Sequence, residues 1–270
     1  MVLFSERNNY GDVQKDFVRE CITTEIRNAI YNGYYHIEKY LNIEDLERYM
    51  WQRYYNQRID DYSIDKHLIL NTINDKELPW YKMFDLIELT IEYFSTFNNY
   101  VLEYCKKFID FLNCEFERLH YAYRIVRGQI VEITSQQEID AIDNAISTST
   151  DNVAMHLNCA LEKYSLRPNP DYRNTIKESI SAVEAICRNI TGKKDFKNAI
   201  DELEKKGVKI QKVLKEAFIK LYAYTNQPDT GIRHSSQNDI NAPERAEALY
   251  MLVTCSAFVN YLNNKLADVR

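Results

Sequence analysis

Glycine and proline are scarce, six and five residues among 270, where ordinary usage gives about 30 of the two together. Both punctuate turns, so their scarcity excludes a turn-rich all-β fold. The glycines, at 11, 33, 128, 192, 207 and 231, never stand closer than 15 positions apart. Dinucleotide fingerprints and P-loops need several glycines close together so that bare backbone N–H groups reach a phosphate, and nucleotide enzymes of those two classes are excluded. The six cysteines include no C-x-x-C pair, so neither a structural zinc site nor a disulfide framework is expected. The longest nearly apolar run, Met251 to Val259, is interrupted by Thr254 and Ser256 and is about half of what crosses a bilayer. The opening Met1-Val-Leu-Phe-Ser-Glu-Arg7 meets charge too early for a secretory leader. A cytoplasmic protein that does not engage membranes is the expectation, with no cofactor.

What is abundant is helical periodicity. Apolar residues recur at three-to-four spacing from Asp12 to His120, as in Val13, Phe17, Cys21; Leu86, Leu89, Tyr93; and Val101, Cys105, Phe108, Leu112. Five helices are expected there, with breaks at Gly33, 56–65, 74–76 and 98–99, and with Pro79 in the first turn of a helix reaching Phe94. The exception is 121–133, two β-branched runs around Arg127-Gly128 with period-two alternation, which predicts a β-hairpin. Beyond it, Ser135 and Glu138 form a capping-box pattern. Helices are predicted from there and over 152–165, 172–191, 196–206, 209–224 and 243–266, with Gly192 and Gly207 as stops. The fold class is therefore all-α: two helical domains, 1–120 and 134–270, joined by a short hairpin at 121–133, with helix above about 60% of the chain, against a usual third.

Charge divides unevenly. Residues 1–133 carry 16 basic and 22 acidic side chains and 134–270 carry 18 of each, so the whole net charge of −6 lies in the first part. Nine lysines fall between 193 and 220 against five acids, enough to follow a few phosphates but not for strong non-specific nucleic-acid affinity. Fifteen of the 21 tyrosines lie in the acidic part, a pattern that suits core edges or a partner protein better than RNA.

The aperiodic stretch 225–242 carries Arg233 beside His234 and leads into a helix opened by Pro243. Loops this long in a compact domain are usually functional or disordered. A permanent cation and an imidazole are the groups needed to cleave RNA without a metal: His234 to take the 2′-hydroxyl proton, Arg233 to stabilise the charged phosphorane. The structural alternative is that Arg233 bridges a carboxylate and pins the loop. Glu184 and Arg188 share a helix face, as an i,i+4 pair or pointing at that loop. His36, His67, His120 and His156 match no zinc-ligand spacing, and the Asp60, Asp61, Asp65 and His67 group reads as a solvated loop, so no metal site is expected.

Five segments in order then resemble a known family: Phe4-Ser-Glu-Arg-Asn8, Tyr123-Arg-Ile-Val-Arg-Gly-Gln-Ile-Val131, Asn169-Pro-Asp-Tyr-Arg-Asn-Thr-Ile-Lys-Glu-Ser-Ile-Ser-Ala-Val-Glu-Ala185, Gly231-Ile-Arg-His234 and Ala257-Phe-Val-Asn-Tyr261. Over nearly its whole length the chain resembles the AbiJ-type abortive-infection family of bacteria. That resemblance implies an AbiJ-type N-terminal domain followed by a HEPN-like helical bundle, a role in anti-phage defence, and endoribonuclease activity or RNA binding. Arg233 and His234 would be catalytic, with Glu184, Arg188, Arg173, Lys193 and Lys194 supporting the site or binding substrate. HEPN ribonucleases separate their Arg and His by several residues; here the two are adjacent, and a bend at Gly231 would be needed to bring both to one phosphate. The alternative is a non-catalytic recognition and dimerisation module that senses a phage or host protein.

The last helix presents Leu249, Leu252, Val253, Phe258, Val259 and Leu262 on more than one side, which places it at the centre of a bundle or against a second chain. A two-fold homodimer through the C-terminal domain is expected. Light scattering at tens of micromolar should give twice the chain mass of 32.0 kDa, and a value of one chain mass would contradict it.

Overall fold

The computed structural model describes residues 17–41, 43–63, 67–97, 99–228, 230–233 and 241–267. The segment Phe4 to Asn8, Val13, Asp65, His234 and most of the loop that follows it therefore lie outside the described residues. Of those described, 70% are helical, and the two strands form one small sheet. The chain divides into two compact units, Met1–Thr134 and Ser135–Arg270.

The first unit contains five α-helices among its described residues: α1 (Thr24–Glu38), α2 (Ile43–Arg53), α3 (Leu68–Asn74), α4 (Trp80–Ser95) and α5 (Asn99–Arg118). Thr23 opens α1 by accepting the Ile26 N–H, which satisfies one of the orphan donors of a helix start. Ile26, Ile30, Tyr34, Leu86, Phe108 and Leu112 meet in one core. The expected break at Gly33 is absent, because α1 runs straight through it. Its role is interhelical: a Cβ there would lie 3.0 Å from Leu112 Cδ2 and 3.1 Å from Phe108 Cε2 of α5. One position on, the buried Tyr34 hydroxyl lies 2.7 Å from Thr90 Oγ1 and donates to the Leu86 carbonyl at 3.1 Å. Burial raises the pKa of that phenol far above its usual value. Pro79 is the residue before α4 rather than a member of its first turn.

The hairpin comprises β1 (Arg124–Val126) and β2 (Gln129–Val131), with Ile125 opposite Ile130. Arg127 and Gly128 both have positive φ, 52° and 82°, as a two-residue type I′ turn requires. A lone hairpin leaves each outer edge unpaired, a cost that folds seldom tolerate when buried. Side chains stand in for the missing strands. On one edge Asn113 of α5 donates to the Ile125 carbonyl at 2.9 Å and accepts its N–H at 2.7 Å. On the other, Glu88 of α4 accepts the Ile130 N–H at 2.6 Å. Val18 adds a parallel bridge to Tyr121 just upstream, extending the strand pairing beyond the hairpin. Buried Arg124 donates to the Tyr121 and Tyr123 carbonyls, and burial lowers its pKa.

The second unit contains α6 (Gln136–Ser147), α7 (Asp151–Ser165), α8 (Tyr172–Thr191), α9 (Phe196–Glu202), a 3-10 turn at Leu203–Lys206, α10 (Lys212–Thr225) and α11 (Arg245–Ala267). Ser135 accepts the Glu138 N–H, completing half of the expected capping box. Asp171 caps α8 at one end, and Gly192, with φ 73°, ends it. Helix α8 packs on α7, α11, α9 and α10, while α11 also packs on α6 and α7. Leu252, Phe258, Val259 and Leu262 of α11 are buried within this unit, with Leu249 and Val253 partly so. Much of the apolar surface of α11 is thus covered within this unit. Cys187 and Cys255 are core residues, their thiols pushed up to about 12 by burial.

Three substitutions separate packing from hydrogen bonding in the first unit. Gly33→Val should destabilise by about 1–3 kcal/mol through overpacking, whereas Gly33→Ala should stay near neutral because about 1 kcal/mol of helix propensity offsets the tighter contact. Asn113→Ala strands the N–H and carbonyl of Ile125 and should cost about 2–3 kcal/mol. Urea denaturation of the three variants checks all of this.

Candidate functional site

The described part of the loop after α10 is short and well anchored. Thr225 is fully buried at the end of α10, Thr230 donates to the Gln227 carbonyl at 2.9 Å, and Ile232 is buried. Gly231 has φ 64°, a backbone conformation that strains any residue with a side chain, and a Cβ there would lie 3.0 Å from the Arg173 guanidinium carbon. The left-handed turn of the backbone at Gly231 lies against Arg173 in the first turn of α8.

Arg233 follows. Its Nη2 donates to Glu184 Oε1 at 3.0 Å, and its Nε to Thr225 Oγ1 at 3.2 Å. Its guanidinium carbon lies 5.0 Å from the ring centre of Tyr222, and that ring in turn stacks on Phe196. The side chains of Arg233 and Glu184 are 22% and 19% exposed, so the pair is only weakly screened by solvent. A planar guanidinium suits this triple engagement, since its donors leave in fixed and different directions.

The structure thus joins Arg233 to Glu184 and seats Gly231 on Arg173. It does not join Glu184 to Arg188: Arg188 is exposed and forms no ion pair among the described residues, the carboxylate having taken the loop arginine instead. Lys193 and Lys194 are exposed just beyond the C-terminus of α8. At 1.5 Å per residue they sit about 30 Å along the helix from Arg173, too far to share one phosphate with it. His234 lies outside the described residues.

Sequence inspection missed one contact. His156 Nδ1 of α7 lies 2.6 Å from Glu178 Oε2 of α8, with the ring 29% exposed. Nothing in the spacing joins residues 22 positions apart on different helices. Among the described residues no set of three His, Cys, Asp or Glu converges as metal ligands. Asp60 is occupied with Arg58. Among the described residues no helix is long and apolar enough to cross a membrane.

The arrangement presents a guanidinium, fixed through two of its nitrogens, at the mouth of a loop that continues into a histidine. Glu184→Ala should leave that cation partly buried without its carboxylate and cost about 1–3 kcal/mol. Arg233→Lys should restore little relative to Arg233→Ala, because one ammonium cannot reproduce two diverging N–H bonds and a stacked plane. Chemical denaturation reads both.

A family model described as AbiJ N-terminal domain 4 matches residues 2–148, more than half of the chain. The match extends past the division between the two units to the end of α6. No curated protein and no solved structure matches the chain.

Proposed function

The chain belongs to the AbiJ N-terminal domain 4 family, and from that membership we propose that it is a bacterial abortive-infection protein whose second unit acts on RNA as a HEPN-type endoribonuclease. The observation that carries the RNA reading is the Glu184–Arg233 pair. It holds a guanidinium immediately before His234, in the loop that leads to the final helix. The helical character of the second unit and the glycine bend at 231 support the same reading. In this mechanism His234 removes the 2′-hydroxyl proton, the alkoxide attacks the adjacent phosphorus, and the 5′-oxygen of the next nucleotide leaves, taking up a proton from water to become the 5′-hydroxyl. Arg233, oriented by Glu184 and Thr225, stabilises the charge that builds on the phosphoryl oxygens. Arg173 beside Gly231 supplies a second cation for the RNA backbone. Arg188, Lys193 and Lys194 follow the strand further out. The products are a 2′,3′-cyclic phosphate and a 5′-hydroxyl, and no metal is required.

A second reading has its own observation. Two of the nitrogens of Arg233 are committed to Glu184 and Thr225, which suits an anchor as well as a catalyst. In that case the molecule recognises a phage or host protein through exposed tyrosines of the first unit, such as Tyr40, Tyr81 and Tyr100, and the second unit forms a homodimer.

Incubating the protein with total RNA in chelator distinguishes the two. Cleavage is expected, rising with pH through the usual imidazole range near 6.5 as His234 loses its proton. His234→Ala and Arg233→Ala should each lower the rate by about a hundredfold or more. Cleavage retained in both variants, or RNA binding without cleavage in the unmutated protein, would remove the nuclease reading.

A further inference from the structure

The first unit holds a cleft of about 830 Å³ between α4, α5, the end of α2 and the hairpin turn. That volume lies in the range of small-molecule sites, roughly 300 to 1,000 Å³. Its lining is ordered by chemistry. Leu89 and Ile91 of α4 and Leu102, Cys105 and Ile109 of α5 form an apolar surface. Four cations, Arg53, Lys82, Lys106 and Arg127, stand around it, all exposed. This gathering stands out in a region whose net charge is −6, and it shares the cleft with three carboxylates, Asp85, Glu88 and Glu92.

The carboxylates of the same cleft are partly occupied. Asp85 takes the Lys82 ammonium at 2.8 Å, and Glu92 faces Arg53. Lys106 forms no ion pair among the described residues. Glu88 lies deeper, accepting the Ile130 N–H with one oxygen. Burial raises its pKa, the Ile130 N–H bond acts in the other direction, and the nearby Asp85 adds to the rise. A half-buried carboxylate of this kind gains from N–H donors brought by a ligand. Apolar walls, a recessed hydrogen-bond acceptor and an outer ring of cations together describe the complement of a flat ring carrying N–H groups with an anionic tail.

We propose that this cleft is a purine-nucleotide site, the base lying against Leu89, Ile91 and Ile109 with its N–H groups directed to Glu88, and the phosphate meeting Lys106 and the neighbouring rim cations. The site uses no glycine-rich loop, so it belongs to neither nucleotide-binding class excluded by the sequence. It also stands apart from any RNA chemistry in the second unit and does not depend on it.

Titration calorimetry of the full-length protein tests this with 5′-GMP and 5′-AMP as probes, and with guanosine and inorganic phosphate as their separated halves. At least one nucleotide should bind at least tenfold more tightly than either half. Lys106→Glu, on an exposed position, should weaken it by tenfold or more, and Leu102→Trp, which fills the cleft from its exposed side, should do the same. Both variants should keep the melting temperature of the unliganded protein. Glu88→Gln retains an acceptor for the Ile130 N–H and should lower nucleotide affinity several-fold while leaving that for phosphate alone unchanged. No heat with millimolar GMP or AMP, phosphate binding as tight as the nucleotide, or full affinity in correctly folded Lys106→Glu and Leu102→Trp proteins would overturn the proposal.

Discussion

Half of α8 has to be hidden. Ten of its 20 residues are buried, Thr175, Ile176, Ser179, Ile180, Ala182, Val183, Ala185, Ile186, Cys187 and Thr191, and no single neighbour covers so wide a surface. The second unit is the solution to that constraint, with α7, α11, α9 and α10 all packing on this one helix. Glu184 falls at the margin of the buried face, where solvent only weakly screens its pairing with the Arg233 guanidinium. The loop after α10 is drawn to that margin by Arg233, so the position of the candidate site follows from how the core helix is covered.

The first unit meets a different constraint, a pair of strands with nothing on either side. It answers with polar side chains from helices, Asn113 on one edge and Glu88 on the other. Glu88 therefore has two neighbours of different kinds, the hairpin backbone on one side and the cleft on the other. Because its placement is fixed by the sheet edge, the acceptor it presents to the cleft is held in position before any ligand arrives, which lowers the ordering cost of binding.

Local chemistry was legible in the sequence. The span of α8 reads as 172–191 with Gly192 as its stop, as the structure has it, and the hairpin was legible because Arg127-Gly128 sits between alternating β-branched runs. Gly33 misled: its neighbours offer a turn reading, whereas its reason lies 75 and 79 positions away in Phe108 and Leu112. Glu184 was legible both as an i,i+4 partner of Arg188 and as a side chain pointing at the loop, and its choice of Arg233 depends on a contact 49 positions away. The start of α10, read at 209, falls at 212 because Val208 and Ile210 are buried as extended chain. The His156–Glu178 contact and the cleft left no local trace, since each is assembled from residues on separate helices. Periodicity and capping report what a segment does with itself; sites depend on what it does with distant segments.

The clamps of the hairpin also bear on the order in which the protein matures on the ribosome. Val18, Glu88 and Asn113, the partners of residues 121–130, all precede it in the chain, so the last piece of the first unit meets a finished receptor as it leaves the exit tunnel. The second unit is built the other way. Helix α8 must wait for α11 to cover it, and Glu184 must wait for Arg233. Since domains generally fold as units, N-terminal first, during synthesis, the acidic unit is complete while its companion is still an open set of helices. Any activity housed at Arg233 is therefore withheld from a nascent chain until translation has passed α11.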